Sequence, residues 1–162
     1  MLEIGISHFL GKQQGGTEEF TIDCDMDSHH VTGSAQLMRL PHEINVQIVD
    51  LHADYECICN RCLTHYSQPV DVPFAEREFI IDLTKREISE DEDVFYVNKD
   101  KNEISLDEMV NQELLLHFPA TTVCSESCKG VCDKCGKNLN LKDCSCKHEH
   151  AAKITPFSFP RS

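Results

Sequence analysis

Apolar and polar residues alternate along a long central segment of the chain. Every second residue is apolar from Ile44 to Ile48, and after a change of phase at Val49 the alternation continues from Leu51 to Cys59. Period-two alternation is typical of a strand with one buried face, and a change of phase indicates a β-bulge. The pattern therefore predicts one long, bulged strand.

Weaker alternating segments flank this strand. Residues 19–26 and 31–40 predict two strands joined by a turn. Residues 70–74 predict a further strand, which continues over residues 79–83 after a change of phase across residues 76–78. Several strands with short connections predict a mostly antiparallel sheet.

One helix is predicted near residues 105–118. Ser105 and Glu108 have the spacing of a capping box, and Pro119 ends the run. The apolar residues that share one helical face are Leu106, Met109, Val110, Leu114 and Phe118. A sheet with one packed helix predicts an α+β or mainly β fold, with an antiparallel or barrel-like body.

The character of the chain changes after Pro119. Residues 120–150 contain six cysteines and few large aliphatic residues, so apolar burial alone cannot offset the cost of ordering them. We therefore predict an acidic β-rich body over residues 1–123, a zinc-binding module over 124–150 and a flexible tail over 151–162.

The cellular compartment decides how the ten cysteines are interpreted. The chain has no run of about 18 apolar residues, and its first residues do not resemble a signal peptide. We therefore expect a cytoplasmic protein that does not enter a membrane. Disulfides rarely persist in a reducing compartment, so closely spaced cysteines indicate metal or redox chemistry rather than a secreted disulfide scaffold.

The strongest local motif is a C-x2-C-x8-C-x-C pattern. It consists of Cys132 and Cys135, followed by Gly136, and then Cys144 and Cys146. Two cysteines two residues apart grip one metal from a tight turn, and the glycine lets the backbone turn after them. Four thiolates within reach of one ion predict a tetrahedral Zn²⁺ site.

Four further cysteines form two shorter pairs. Cys59 and Cys62 follow the end of the long strand, whereas Cys124 and Cys128 precede the C-x2-C of the tail. If the fold brings these two pairs together, they form a second zinc site that joins the tail to the body. Alternatively, the Cys59–Cys62 pair shares a single zinc with that later C-x2-C. We favour two sites.

Competing interpretations of these cysteines are weaker. A thioredoxin-like C-x2-C normally opens a helix, whereas Cys59 and Cys62 precede a turn-like segment. Cys24 and Cys57 have no spaced partner and are interpreted as ordinary buried thiols. Thiolate-only sites are closed, and no catalytic constellation is present, so we expect no enzymatic activity and no small-molecule substrate.

Charge is distributed unevenly along the chain, whose formal net charge is −13. Residues 1–123 contain 8 Lys/Arg and 24 Asp/Glu, a balance of −16, whereas residues 124–162 have a balance of +3. An acidic body repels a nucleic-acid backbone and suits a basic protein partner. The alternative is a zinc ribbon that binds RNA phosphates through Lys129, Lys134, Lys137 and Lys142.

The cysteine motifs together resemble one known family. Residues 59–63 read C-N-R-C-L, similar to the C-x-R-C-L signature of the YceD-like large ribosomal RNA subunit accumulation proteins of bacteria. Residues 124–146 read C-x3-C-x-G-V-C-x2-C-G-x-N-L-N-x3-C-x-C, similar to the longer form of that family. Two departures are Val131, where the family has Leu, and residues 147–162, which lack the usual apolar helix.

The resemblance implies a role in the synthesis, processing or stability of 23S rRNA. We therefore expect a non-enzymatic zinc-binding factor in large ribosomal subunit biogenesis, acting mainly on a ribosomal protein or an assembly factor. The remaining alternatives are an RNA-binding zinc ribbon that contacts 23S rRNA and a thiol redox or zinc-responsive protein.

Overall fold

A computed structural model describes residues 2–26, 29–81 and 95–146 of the chain. Strands predominate. The elements in chain order are β1 (Glu3–Gly5), α1 (Ser7–Leu10), β2 (Thr17–Met26), β3 (His29–Arg39), β4 (Glu43–Ile58), β5 (His65–Ile80), β6 (Phe95–Tyr96), β7 (Glu103–Ser105) and α2 (Asp107–His117).

The body is built on a five-stranded sheet in the order β2-β3-β4-β5-β6. Strands β2 to β5 are antiparallel, whereas β6 runs parallel to β5, and β1 pairs with β7 in a small second sheet. The predicted mainly β fold with an antiparallel sheet and a packed helix is confirmed. The barrel-like alternative is wrong for the described residues, because their sheet remains open.

The predicted bulge lies one residue beyond Val49. The pairing of β3 with β4 shifts between Thr32 and Ser34, and Asp50 adopts a positive φ of 51°. Gly33 faces the bulge, where a Cβ atom would lie 3.1 Å from the Cα of Leu51. A larger residue at this position would push the backbone of β4 away, so glycine favours the close approach of the two strands.

The change of phase on β5 was placed wrongly. Ala75 is buried and Phe74 is 51% exposed, so the strand changes phase before residue 75 rather than across residues 76–78. The cause lies on the neighbouring strand, because β5 pairs with β4 without a register shift. Consequently β5 changes its buried face where β4 bulges at Asp50.

Helix α2 covers the sheet with the predicted apolar face. Leu106, Met109, Val110 and Leu114 are buried, and Phe118 packs edge-on against Tyr55 at 5.2 Å between ring centroids. On the same side of the sheet, the Arg77 guanidinium pairs with the buried Glu113 carboxylate. This ion pair ties α2 to β5.

The predicted capping box is wrong. The N-terminal residue of α2 has no side-chain cap, and Ser105 Oγ lies 3.3 Å from Asp107 Oδ2 rather than capping the helix. The Asp107 carboxylate also accepts a 2.7 Å hydrogen bond from the Leu2 backbone N–H. Asp107 therefore anchors the N-terminal strand to the start of α2, a long-range contact that local spacing does not reveal.

Some predictions fall outside the described residues. These are the end of the strand predicted to reach residue 83 and everything predicted for residues 147–162, including the flexible tail. The domain boundaries drawn from the sequence also remain a prediction. Among the helices that the structure describes, none has the length and apolar character needed to cross a membrane.

Candidate metal centre

The first tetrad consists of Cys59, Cys62, Cys124 and Cys128. Their sulfur atoms all lie within 4.8 Å of one another, with 3.6 Å between Cys62 and Cys124 and 3.9 Å between Cys59 and Cys128. Two of these cysteines follow β4 and two follow α2, so the tetrad joins segments more than 60 residues apart in sequence. Three of the four side chains are buried, and Cys124 is exposed.

The second tetrad consists of Cys132, Cys135, Cys144 and Cys146. Its sulfur atoms also lie within 4.8 Å of one another. Cys132 is buried, Cys135 is exposed and the other two are half-buried, so this tetrad is more accessible than the first. All four residues lie close together in sequence, so this tetrad is a local cross-link within residues 132–146.

The two C-x2-C pairs have the same local geometry. The Leu63 N–H donates to the Cys59 carbonyl at 2.9 Å, and the Gly136 N–H donates to the Cys132 carbonyl at 2.8 Å. Both donor residues have a positive φ, 58° at Leu63 and 69° at Gly136. This turn brings the two sulfurs of each pair to one side, as a metal-binding knuckle requires.

Arg61 holds the tail against the body. Its carbonyl accepts a 2.9 Å hydrogen bond from the Val131 N–H, and its guanidinium donates to the carbonyls of Glu126 and Cys128 at 3.1 and 3.3 Å. Gly130 packs so closely here that a Cβ atom would lie 3.0 Å from the Arg61 carbonyl oxygen. The two tetrads are therefore held in one connected arrangement.

All eight cysteines that we predicted as ligands belong to a tetrad. The Cys59–Cys62 pair lies with Cys124 and Cys128, the arrangement expected for two sites, and not with the C-x2-C of the tail. Cys24 and Cys57 are half-buried and lie outside both tetrads.

The donor sets fit a tetrahedral metal ion. Metal–sulfur bonds of about 2.3 Å place the ligands of a tetrahedral ion about 3.8 Å apart. The distances of 3.6 and 3.9 Å in the first tetrad lie on either side of that value. Each tetrad could hold one metal ion, with four sulfur ligands and no open coordination position.

The metal-free thiols of the first tetrad would titrate very differently. Burial raises the pKa of Cys59, but backbone N–H groups of Cys124, Cys62 and Arg61 donate to its sulfur and lower the pKa to about 6. The hydrogen bond with Cys62, together with burial, raises the pKa of Cys124 to about 12. The site therefore favours some thiolates but cannot ionise every thiol without a cation.

The thiols of the second tetrad also differ widely in pKa. Backbone N–H groups of Cys135 and Lys134 outweigh the effect of burial and lower the pKa of Cys132 to about 6. The hydrogen bond with Cys135, together with burial, raises the pKa of Cys146 to about 12. In both tetrads a bound cation must displace protons from the thiols whose pKa is raised.

Metal binding is therefore expected to release protons. Near pH 7, Cys124 of the first tetrad and Cys144 and Cys146 of the second are protonated in the metal-free protein. The first tetrad therefore releases at least one proton and the second at least two, so their affinities rise at least about tenfold and about a hundredfold per pH unit, respectively. Below pH 6, Cys59 and Cys132 also carry protons, so each tetrad releases one further proton and the dependence steepens by about another tenfold per unit. Calorimetric titrations in buffers of different ionisation enthalpy count the protons, and a pH-independent affinity would contradict the expectation.

Sequence reasoning missed the groups that support the sulfur atoms. Thr64, Asn138 and Asn140 lie against the first tetrad, and Arg61 joins the two halves of the centre. The N-x-N spacing of Asn138 and Asn140 between Cys135 and Cys144 was the available signal, because hydrogen-bond donors beside metal ligands form the outer shell of such sites.

Comparisons with known proteins agree with the cysteine motifs. A family model described as "Large ribosomal RNA subunit accumulation protein YceD" matches residues 49–158. The chain is also 34% identical over 62 residues to the "Large ribosomal RNA subunit accumulation protein YCED homolog 1, chloroplastic" of Arabidopsis thaliana. That similarity covers 38% of this chain and only 19% of the relative, so the chain spans about a fifth of the relative's length.

No solved structure matches the chain significantly. The family model, however, covers more than half of the sequence and includes all eight cysteines of the two tetrads. The chain therefore belongs to the YceD family of large ribosomal RNA subunit accumulation proteins.

Proposed function

We propose that this protein is a non-enzymatic zinc-binding factor that supports 23S rRNA accumulation and large ribosomal subunit biogenesis, mainly through protein contacts in the cytoplasm. Its membership of the YceD family supports the connection with large-subunit rRNA. The mode of action is our inference from the two tetrads and from the charge distribution of the sheet.

Zinc is the metal that best suits the tetrads. Tetrahedral sites of four thiolates are typical of structural zinc or of iron–sulfur centres, and zinc needs no open position or redox change to stabilise a fold. We assign Cys59, Cys62, Cys124 and Cys128 to one ion, and the second tetrad to another. A bound zinc ion would supply a rigid cross-link, and its closed ligand set leaves no position for a substrate.

The burial of the thiols argues against a redox function. A reactive cysteine needs both a low pKa and access to solvent. Cys59 and Cys132 have the low pKa but are buried, whereas the exposed Cys124 has a pKa of about 12. None of these three thiols combines a low pKa with access to solvent.

The observation that favours a protein partner is the charge of the sheet surface opposite α2, which we call the open face. Strands β2 to β6 contain only two Lys/Arg residues, Arg39 and Arg77, and both pair with buried residues on the helix side. The acids on the open face are Glu19, Asp23, Asp25, Glu43, Asp54, Glu56, Asp71, Glu76 and Glu78. His30 lies within 3.2 Å of Asp23 and Asp25, and His52 lies within 3.5 Å of Asp54 and Asp71, so acids still outnumber basic groups on this face. This face complements a Lys/Arg-rich protein and repels bare RNA.

The test is to neutralise part of the open face. A tagged full-length variant carries Asp→Asn changes at residues 23, 25, 54 and 71. The matched control changes Glu3, Asp100, Glu108 and Glu126 to the corresponding amides, which removes the same charge from exposed positions elsewhere. We expect the open-face variant to recover about tenfold less large-subunit ribosomal protein or assembly factor from cells, with a smaller effect in the control.

The level of 23S rRNA is measured in the same cells. The proposal predicts that the open-face variant fails to restore 23S rRNA in cells that lack the protein, while its zinc content and thermal unfolding are unchanged. Equal recovery of ribosomal partners by the two variants would contradict the assignment of this face. If the wild-type protein recovered neither ribosomal proteins, assembly factors nor 23S rRNA, the functional proposal itself would fail.

Direct RNA binding is the second candidate. The observation in its favour is a set of four exposed lysines on the cysteine-rich module, Lys129, Lys134, Lys137 and Lys142. If these residues contact phosphates, affinity for 23S rRNA fragments falls steeply with salt and decreases when the lysines are changed to glutamine. Salt-dependent RNA binding that is unaffected by the open-face variant would favour this candidate over the protein contact.

A further inference from the structure

The segment that closes the second tetrad also reaches the first. Between Cys135 and Cys144 the chain turns back, so that Val131 and Asn138 form a short antiparallel bridge. The Leu139 N–H donates to the Gly130 carbonyl at 2.9 Å, which fixes the returning segment against the start of the module. We call residues 136–143 the returning loop. Both of its asparagine side chains point toward the first tetrad.

Asn140 contacts a sulfur of the first tetrad directly. Its side-chain Nδ2 donates to Cys128 Sγ at 3.3 Å, and its Oδ1 accepts the Lys129 N–H at 2.8 Å. Asn138 Oδ1 accepts hydrogen bonds from both the backbone N–H and Nδ2 of Asn140, at 2.9 and 3.0 Å. The Asn140 amide is therefore held in the orientation that directs a donor at Cys128.

Asn138 reaches a second sulfur through Thr64. Its Nδ2 donates to Thr64 Oγ1 at 3.0 Å, and this hydroxyl oxygen lies 3.3 Å from Cys62 Sγ. In the metal-free protein the Cys62 thiol donates to this oxygen, and once Cys62 is a thiolate ligand the Thr64 hydroxyl is placed to donate to its sulfur. Two sulfurs of the first tetrad thus depend on donors positioned by the returning loop.

We propose that Asn138, Asn140 and Thr64 couple the two tetrads, so that a metal ion in the second tetrad strengthens metal binding by the first. A tetrathiolate site carries excess negative charge, and N–H or O–H donors to its sulfurs stabilise that charge. The second ion holds the returning loop in place and so fixes these donors. By linkage, a metal ion in the first tetrad strengthens binding at the second by the same factor.

The inference rests on the zinc assignment proposed above, which the metal content of the wild-type protein tests separately. The coupling also predicts the order in which the two tetrads lose their metal ions. The second tetrad is more exposed and should release its ion to a chelator first. The first tetrad then retains its ion, but with an affinity lower by about tenfold to a hundredfold, the usual effect of losing outer-shell donors.

The test follows each tetrad separately in the full-length protein. Zinc-loaded protein is incubated with increasing chelator and treated with N-ethylmaleimide, and peptide mass spectrometry reports which cysteines have become reactive. Asn140→Asp keeps the acceptor for Lys129 but removes the donor to Cys128. The control Lys142→Gln changes an exposed side chain on the same loop. Cys144→Ser removes a ligand of the second tetrad.

We expect Asn140→Asp to lower the chelator midpoint for Cys59 and Cys62 at least tenfold, and Lys142→Gln to leave it unchanged. Cys144→Ser should lower the same midpoint, with little further loss when Asn140→Asp is added. An unchanged midpoint in Asn140→Asp, or fully additive losses in the double variant, would overturn the coupling. Asn140→Asp keeps every metal ligand, so the test stands even if Cys144→Ser fails to fold.

Discussion

Replacing Cys62 with serine is expected to empty the first tetrad and release the cysteine-rich module from the body. Cys62 and Cys59 follow β4, whereas the other two ligands follow α2, so this tetrad is a long-range cross-link. Structural zinc sites contribute about 10 kcal/mol or more to the folding free energy of small modules, and removal of one thiolate ligand loses much of this contribution. Native mass spectrometry should show at least one metal ion lost.

Limited proteolysis reports the release of the module in the same variant. Cleavage is expected within residues 119–131, whereas the strands β2 to β5 remain protected by their own core. The matched control is Cys57→Ser, which changes a half-buried thiol on β4 outside both tetrads. Wild-type metal content and an unchanged cleavage pattern in Cys62→Ser would contradict the proposed ligand set.

Replacing Cys135 with serine is expected to have a more local effect. Only residues 132–146 depend on the second tetrad for cross-linking, so the variant should lose one ion, keep one, and become sensitive to protease beyond residue 131. The first ion remains bound because a tenfold to hundredfold loss still leaves the tight affinity typical of structural zinc. Metal analysis and mapped cleavage sites check both expectations.

The two serine variants together distinguish the tetrads. If Cys135→Ser removed both ions and detached the whole module, the second tetrad, and not the first, would hold the module on the body. If it removed neither, Cys135 would not be a ligand. The circular dichroism of the strands should be close to wild type in both variants, because the sheet core contains none of the eight cysteines.

Local sequence patterns predicted much of this molecule. The alternation of the central strand identified β4 and its bulge, because burial of one sheet face imposes a period of two on the residues. The apolar stripe of α2 was equally clear, and short cysteine spacings identified all eight residues of the tetrads. These features depend on neighbours within about ten residues.

The features that the sequence did not reveal depend on contacts between distant segments. Phe74 was expected to be buried, but the bulge at Asp50 on the neighbouring strand changes which face of β5 is covered. Ser105 was expected to cap α2, but Asp107 contacts both Ser105 and the N-terminal strand. Local spacing carries no information about either partner.

The assignment of the cysteines to two tetrads also depends on contacts between distant segments. Spacing allowed the Cys59–Cys62 pair to join either of two later pairs, and only the fold of β4, α2 and the connecting segment decides between them. The roles of Asn138 and Asn140 could not be predicted from the sequence either. These residues lie between cysteines of the second tetrad, but their amide groups donate to Thr64 and to Cys128 beside the first tetrad. In this protein, local motifs identify the candidate ligands, and the tertiary structure divides them between the two tetrads.

The most direct test is metal stoichiometry by native mass spectrometry on the full-length protein, purified without chelator. The account predicts two zinc ions per chain and eight cysteines protected from alkylation, with Cys24 and Cys57 outside both sites. A single zinc ion, or a metal-free protein with disulfides among the eight cysteines, would contradict two closed tetrathiolate sites.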